Sequence, residues 1–398
     1  MLRIEEHISP PGPALLQRGF RPFFLGAMGQ AVLALALWAG VYLLGWGLPG
    51  LAAYDTPAYW HGREMVFGYA LAVVAGFLLT AVQNWTGQAT LRDLPLAGLF
   101  ALWAGARLST FAGVPAASMA LDLLFELWLA WALAVPLWRA RQWANFGIFV
   151  PKLVLLAAAQ GAFALGVLGP WVAGQRLGLF GGLYLILSLI FVMARRVMPF
   201  FIERAAVDGR KFPVRPWLDR ASLYGFLGFA LLDLAWPDNA GVGVVALALA
   251  LLHGQRLAGW HHPVIWRRPL LWVLYGAYAW LVAGFLLKAA AAWGGVSPSL
   301  AVHAFAYGGI GLMSAGMMAR VALGHTGRDV HAPPRVLSPV FVLLLSGALA
   351  RVLLPLLFPA YHVPLVGLAA ALWLAAFLLL LGTYAPMLLG PRVDGRAG

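Results

Sequence analysis

His61, Glu64 and Met65 stand at i, i+3 and i+4 of one apolar run. On a helix that spacing puts an imidazole, a carboxylate and a thioether on one face. Imidazole suits iron, copper or zinc, and a thioether suits copper(I). Arg63 lies beside Glu64, so the same segment also reads as an interfacial anchor with the two charges paired, or as a relay for protons or charge. A second run, SLAVHAFAYGGIGLMSAGMMARVALGHTGR, carries His303 with Tyr307 at i+4 on the same face, Met313 and Met317 on another, and His325 at its far end. Tyr307 joins Arg63 and Glu64 as a relay candidate, and His303 reads as a ligand or as a histidine bonded to a neighbouring helix. Gly308, Gly309 and Gly311 leave one wall nearly bare, which lets a neighbouring helix or a flat cofactor approach closely. Asp122 and Glu126, at i and i+4, are placed to relay protons or to pair with Arg107 or Lys152.

The elements that must position these groups follow from composition. The chain has 398 residues, 62 % hydrophobic and 10 % charged, whereas an average soluble domain is about 45–50 % apolar and about 25 % charged. At about 20 residues per membrane-spanning helix, the apolar content allows on the order of twelve spans. Apolar runs bounded by Gly, Pro and charge place them near 22–46, 61–83, 94–113, 118–138, 146–168, 177–199, 218–236, 241–258, 270–293, 299–323, 336–358 and 363–389. The expected fold is therefore all-α, a polytopic helical membrane protein. It reads as a single integral domain over 1–398, with halves 1–200 and 218–398 joined by a cytoplasmic loop at 200–217. Pro199 reads as the stop of the sixth span.

Of the 27 Lys and Arg, 21 fall in the loops and termini on one side of this map and only Arg176 in the loops on the other. Cytoplasmic loops accumulate Lys and Arg, so both termini read as cytoplasmic. The net charge of +13 is spread over many loops, which removes the case for a nucleic-acid partner. The opening stretch MLRIEEHISPPGPALLQRGF lacks a continuous apolar core and reads as no signal peptide. The map puts His61, His303 and His362 near the outer face, and His253, His261, His262 and His325 near the inner face, with His7 in the amino-terminal tail. His61 and His303 are thereby placed to share one metal or haem. The absence of cysteine excludes disulfides, thiolate metal sites and cysteine nucleophiles. No phosphate-binding loop, nucleophile elbow, HExxH or dinucleotide fingerprint is present.

Several segments together resemble the NnrS family of bacterial membrane proteins: RGFRPFF from Arg18, HGREMVFGYALAVVAGFLLTAVQNWTG from His61, RVMPFF from Arg196, PLLWVLYGAYAWL from Pro269, HAFAYGGIGLMSAGMMARVALGHTGR from His303, and YAPMLLGPRVDG from Tyr384. The resemblance implies about twelve spans in the bacterial inner (cytoplasmic) membrane, haem b and copper as cofactors, and a role in nitric oxide and nitrosative stress, including denitrification. It implies His61, His303 and His325 as cofactor positions. It also sets Arg63 and Tyr275 where the family pattern has histidine. The expected function is a haem- and copper-binding membrane protein that binds or detoxifies nitric oxide or protects iron centres from it. The alternatives are a secondary transporter of a small anion or a metal–nitrosyl species, with Arg63, Arg107, Lys152, Lys288 and Arg351 along its path, and a non-catalytic assembly partner of a respiratory complex. A Soret band, uptake into vesicles and co-purification separate the three.

Overall fold

The computed structural model describes residues 12–237 and 239–396; His7 lies outside them. Among the described residues the chain is all-helical, with no strand. Twelve long helices follow one another: α1 Phe20–Leu44, α2 Pro57–Thr86, α3 Asp93–Phe111, α4 Pro115–Arg139, α5 Trp143–Leu168, α6 Gly174–Ala205, α7 Pro216–Ala235, α8 Ala240–Gly259, α9 Pro269–Ala292, α10 Pro298–His325, α11 Leu337–Leu357 and α12 Pro359–Leu389. Eleven are long and apolar enough to cross a membrane. The chain is a multi-pass membrane protein.

Local signals explain most boundaries. Pro57, Pro115, Pro216, Pro269 and Pro298 open helices, where the missing N–H is an orphan anyway and the fixed φ suits the first turn. Gly87 closes α2 at φ +68°, a left-handed cap that side chains resist. Because α2 starts at Pro57, His61 lies inside its second turn rather than at its first residue.

The exception among the twelve is α7, which carries Asp219, Arg220 and Asp233 in 20 residues. The structure compensates the two carboxylates. Asp219 takes ion pairs from Arg195 at 3.0 Å and Arg256 at 2.9 Å. Asp233 is buried against Lys288 Nζ at 2.5 Å and accepts the Tyr184 hydroxyl.

Pro199 does not stop the sixth helix: α6 runs through it to Ala205. Proline removes only the hydrogen bond to the Arg195 carbonyl, and the turns beyond it are held from outside. Glu203 accepts the Phe212 N–H at 2.8 Å and pairs with Lys211 at 3.2 Å, folding the following loop back onto them.

Two compact units divide the chain. The first comprises Met1–Gly182, Met318–Arg335 and Phe377–Gly398; the second comprises Leu183–Met317 and Val336–Ala376. Each has its own core. The first is built on Phe20, Phe23, Phe24, Phe67 and Phe125, and the second on Phe229, Tyr278, Phe285 and Phe341.

Within the first unit, Arg21 is fully buried and its Nη1 donates to the carbonyls of Leu388 at 2.8 Å and Gly390 at 2.6 Å. These are orphan carbonyls at the end of α12, where a cation also favours the helix dipole. Arg21→Ala leaves them without a donor, and hydrogen bonds to charged groups contribute about 1.5–3 kcal/mol each. The expected result is a lowered unfolding temperature in detergent, with protease sensitivity appearing first at the 390–396 segment.

Candidate functional site

Three stretches widen from α- to π-helix: Glu64–Ala70 in α2, Ala304–Gly311 in α10 and Leu349–Leu353 in α11. Such turns are rare, break the regular hydrogen-bond ladder and concentrate at functional sites. The first two begin within three residues of His61 and directly after His303.

The π-turn of α2 sits on a buried charge cluster to which five helices of the first unit contribute. Arg63 Nη1 meets Glu64 Oε1 at 2.8 Å, although consecutive residues on a helix normally diverge. Arg63 Nη2 pairs with Asp122 Oδ2, and the same oxygen pairs with Arg107 Nη2. Glu64 Oε2 lies 3.4 Å from Arg107 Nε and accepts Gln30 Nε2 at 2.7 Å. Thr110 and Ser118 accept from the Arg63 guanidinium at 3.1 and 2.9 Å, and Gln160 Nε2 reaches Asp122 Oδ2 at 3.4 Å.

Gly68 makes this possible. A Cβ there would stand 2.6 Å from Arg107 Nη1. The Gly68 carbonyl takes the Trp103 indole N–H at 2.9 Å. Tyr54, in the connection between α1 and α2, is buried and feels the same charges; burial pushes its hydroxyl above the ordinary tyrosine range, while Arg63 pulls it down.

His61 is half-buried one turn before this cluster. Its ring stacks on Trp38, centroids 4.7 Å apart and planes 13° apart. Trp60, Tyr54, Met119 and Phe163 make a buried apolar patch beside it. Met65 is half-buried on the π-turn, one position past Glu64.

In the second unit, His303 is half-buried and its Nδ1 lies 2.8 Å from the Ser299 carbonyl. A carbonyl only accepts, so Nδ1 carries the proton and Nε2 keeps the lone pair. Arg351 donates to Ser299 Oγ at 3.1 Å, steadying the same turn. Tyr307 donates to the Ala369 carbonyl at 2.9 Å and presses against Gly347, so its hydroxyl serves a helix-to-helix contact. The glycine wall is covered by neighbouring helices: Trp280 fills the space beside Gly308, Leu281 that beside Gly309, and Trp373 that beside Gly311.

His325 closes α10 in the first unit. Its ring lies 5.5 Å from that of Phe20, and its carbonyl accepts Arg392 Nη1 at 3.0 Å. Gly327, at φ +79°, lies so close to Asp394 that a Cβ would meet the carboxylate at 2.8 Å. The segment His325–Arg328 therefore docks the chain after α12, and Val393 N–H donates to Thr326 O at 3.2 Å.

Most intramembrane cations are held locally. Lys288 is on Asp233, Lys152 Nζ donates to Ile148 O at 3.1 Å, and Arg63 and Arg107 share the cluster. Sequence reasoning leaves Arg63 and Glu64 as a pair or a relay, and Asp122 and Glu126 as a relay or as partners of Arg107 or Lys152; in the structure Arg63 meets Glu64 and Arg107 meets Asp122. It misses Gln30, Thr110, Ser118 and Gln160, neutral polar residues whose only signal is their position within apolar runs. It puts His253 near the inner face but gives it no role; the residue is fully buried between the rings of Phe191 and Phe285, with Nδ1 2.6 Å from the Tyr278 hydroxyl.

A family model, NnrS protein, matches residues 14–392. The chain belongs to the NnrS family. The match covers nearly the whole chain, so the resemblance drawn from its segments holds from end to end. No curated protein matches the chain. Membership makes this NnrS-family chain a nitric oxide-related membrane protein.

The donor set bears on the cofactors this NnrS-family membership suggests. Among the described residues, no three His, Cys, Asp or Glu side chains gather into a metal-binding group. A copper centre with three such protein ligands does not fit these residues. Haem iron needs only one axial histidine, and His303 has the form such ligands take. Metal-binding histidines almost always give the other ring N–H to a carbonyl or carboxylate, fixing tautomer and ring orientation. His303 fits that requirement through Ser299.

Proposed function

We propose that this chain is a haem-bearing protein of the bacterial inner membrane, with both termini cytoplasmic, that binds or detoxifies nitric oxide under nitrosative stress. His303 is the iron ligand and His61 the second cofactor position. The observation that carries the reading is the His303 Nδ1–H donated to the Ser299 carbonyl at 2.8 Å, which puts the ring lone pair on Nε2, the atom through which a histidine of this tautomer ligates. Family membership supports the link to nitric oxide. When bound, haem b would supply an iron that binds a small neutral gas. Ser299 orients the imidazole, and Arg351 orients Ser299. Trp38 holds the His61 ring by stacking. Copper, where it binds, falls to His61 and Met65, an imidazole and a thioether that suit copper(I). The lipid bilayer and the apolar helix interior concentrate nitric oxide, which carries no charge.

The test is an optical spectrum of the detergent-purified protein, oxidised and reduced, with and without nitric oxide, beside total iron and copper. The expected result is a reducible Soret band that shifts with nitric oxide and stoichiometric iron. A metal-free protein that takes up an anion into vesicles overturns the reading in favour of transport.

A further inference from the structure

The charge cluster of the first unit holds one carboxyl more than its arginines neutralise. Arg63 and Arg107 face Glu64, Asp122 and Glu126, and Asp122, Arg107 and Arg63 all act on Glu126 through their charges. Glu126 is 2 % exposed, and neither of its oxygens has a hydrogen-bond partner among the described residues. Asp122 Oδ2 and both Glu64 oxygens, by contrast, accept hydrogen bonds or ion pairs.

A buried carboxylate is tolerated when it is paired and hydrogen-bonded; otherwise it takes a proton. Charge balance leaves one proton to place, and Glu126 is the member with nothing bonded to its charged form. The only charged group on α5 within its span, Lys152, is held at the Ile148 carbonyl. In the same charge cluster, four further buried polar atoms have no hydrogen-bond partner among the described residues: Arg63 Nε, Arg107 Nη1, Asp122 Oδ1 and Gln160 Oε1. Two donors and two acceptors in one buried group are the setting in which internal water is held, usually with about three hydrogen bonds per molecule.

We propose that Glu126 is a proton-loading site: its carboxyl binds a proton at neutral pH and exchanges it, through water held by Arg63, Arg107, Asp122 and Gln160, with the α1–α2 connection at Tyr54. The route is a string of polar groups. The Tyr54 hydroxyl is buried without a partner. Thr110 and Ser118 lie 2.6 Å apart and both accept from Arg63, which in turn pairs with Asp122. Glu126 is one helical turn from Asp122 on α4. The binding and release of the proton form no other bond and need no oxidant, so the proposal stands independently of any haem.

The experiment is infrared spectroscopy of the purified full-length protein at neutral pH, in H2O and D2O. A protonated-carboxyl C=O band that shifts on deuteration is expected in the wild type and is lost in Glu126→Gln. Tyr54→Phe, which keeps the ring and removes the hydroxyl, slows deuteration of that band. Glu126→Asp, a second variant should Glu126→Gln fail to fold, moves the band without abolishing it. Absence of the band in the wild type, its persistence in Glu126→Gln, or its unchanged position in Glu126→Asp overturns the site; an unchanged deuteration rate in Tyr54→Phe overturns the route.

Discussion

Asp122→Ala is expected to remove most of the folded protein from detergent extracts. Asp122 Oδ2 is the anion shared by Arg63 and Arg107, and all three side chains are buried. The substitution leaves two guanidinium groups facing one ion-paired carboxylate, Glu64, with the unpartnered Glu126 beyond it. Breaking a buried pair by removing one partner is destabilising by about 3–5 kcal/mol, against a total stability of about 5–15 kcal/mol for a typical fold. Asp122→Asn keeps the shape and one acceptor, so a smaller loss is expected. Arg107→Met combined with Asp122→Leu removes one charge of each sign and should recover much of the stability, since buried pairs replaced together by apolar groups are often neutral. Thermal unfolding monitored by tryptophan fluorescence, with yield after size exclusion, separates the three. If Asp122→Ala unfolds at the wild-type temperature, the cluster is not what holds these helices together.

Gly347→Ala is the second large effect. A Cβ at that position overlaps the Tyr307 hydroxyl, and the next atoms it meets are ring carbons at 2.6 and 3.2 Å. A tyrosine ring is rigid, so the π-turn of α10 or the helix α11 has to move. Overpacking of this kind costs about 1–3 kcal/mol, and the Tyr307–Ala369 hydrogen bond of 2.9 Å is lost with it, adding roughly 1 kcal/mol. Tyr307→Phe alone removes only the hydrogen bond. The double variant should therefore be more stable than the sum of the singles, because the phenyl ring removes the worst overlap, that with the hydroxyl, although its Cζ at 2.6 Å still has to shift. Additive losses in the unfolding midpoint would show that Tyr307 and Gly347 do not press on each other.

What the sequence makes legible varies with the kind of interaction. Helix number and class are legible because about 20 consecutive apolar residues are a one-dimensional signal. Helix starts are less so: the apolar runs begin at 61, 118 and 299, whereas the helices open earlier, at Pro57, Pro115 and Pro298, where proline is itself a local start signal. Arg63, Glu64, Arg107, Asp122 and Glu126 are visible as ionisable groups inside spans, which are expensive without partners. Which oxygen meets which guanidinium is not visible, since Asp122 reaches Arg63 from 59 positions away. The π-turns are not visible either, because helical periodicity implies 3.6 residues per turn and nothing in EMVFGYA announces a wider one. Pro199 misleads for a related reason: proline deletes one hydrogen bond, and contacts such as Glu203 with Phe212 decide whether the helix survives it. The glycines of α10 permit close approach in either reading, and only the positions of Trp280, Leu281 and Trp373 show what approaches.

The most direct test of the functional account is the reduced-minus-oxidised optical spectrum of His303→Ala, recorded beside the wild type and His325→Ala, with iron measured on the same samples and folding checked by size exclusion. The account predicts that His303→Ala remains folded and loses the Soret band with its iron. His325→Ala, whose residue lies at the docking point of the chain after α12 and whose carbonyl remains to accept Arg392, keeps both. A folded His303→Ala protein with the wild-type band and full iron content would contradict it.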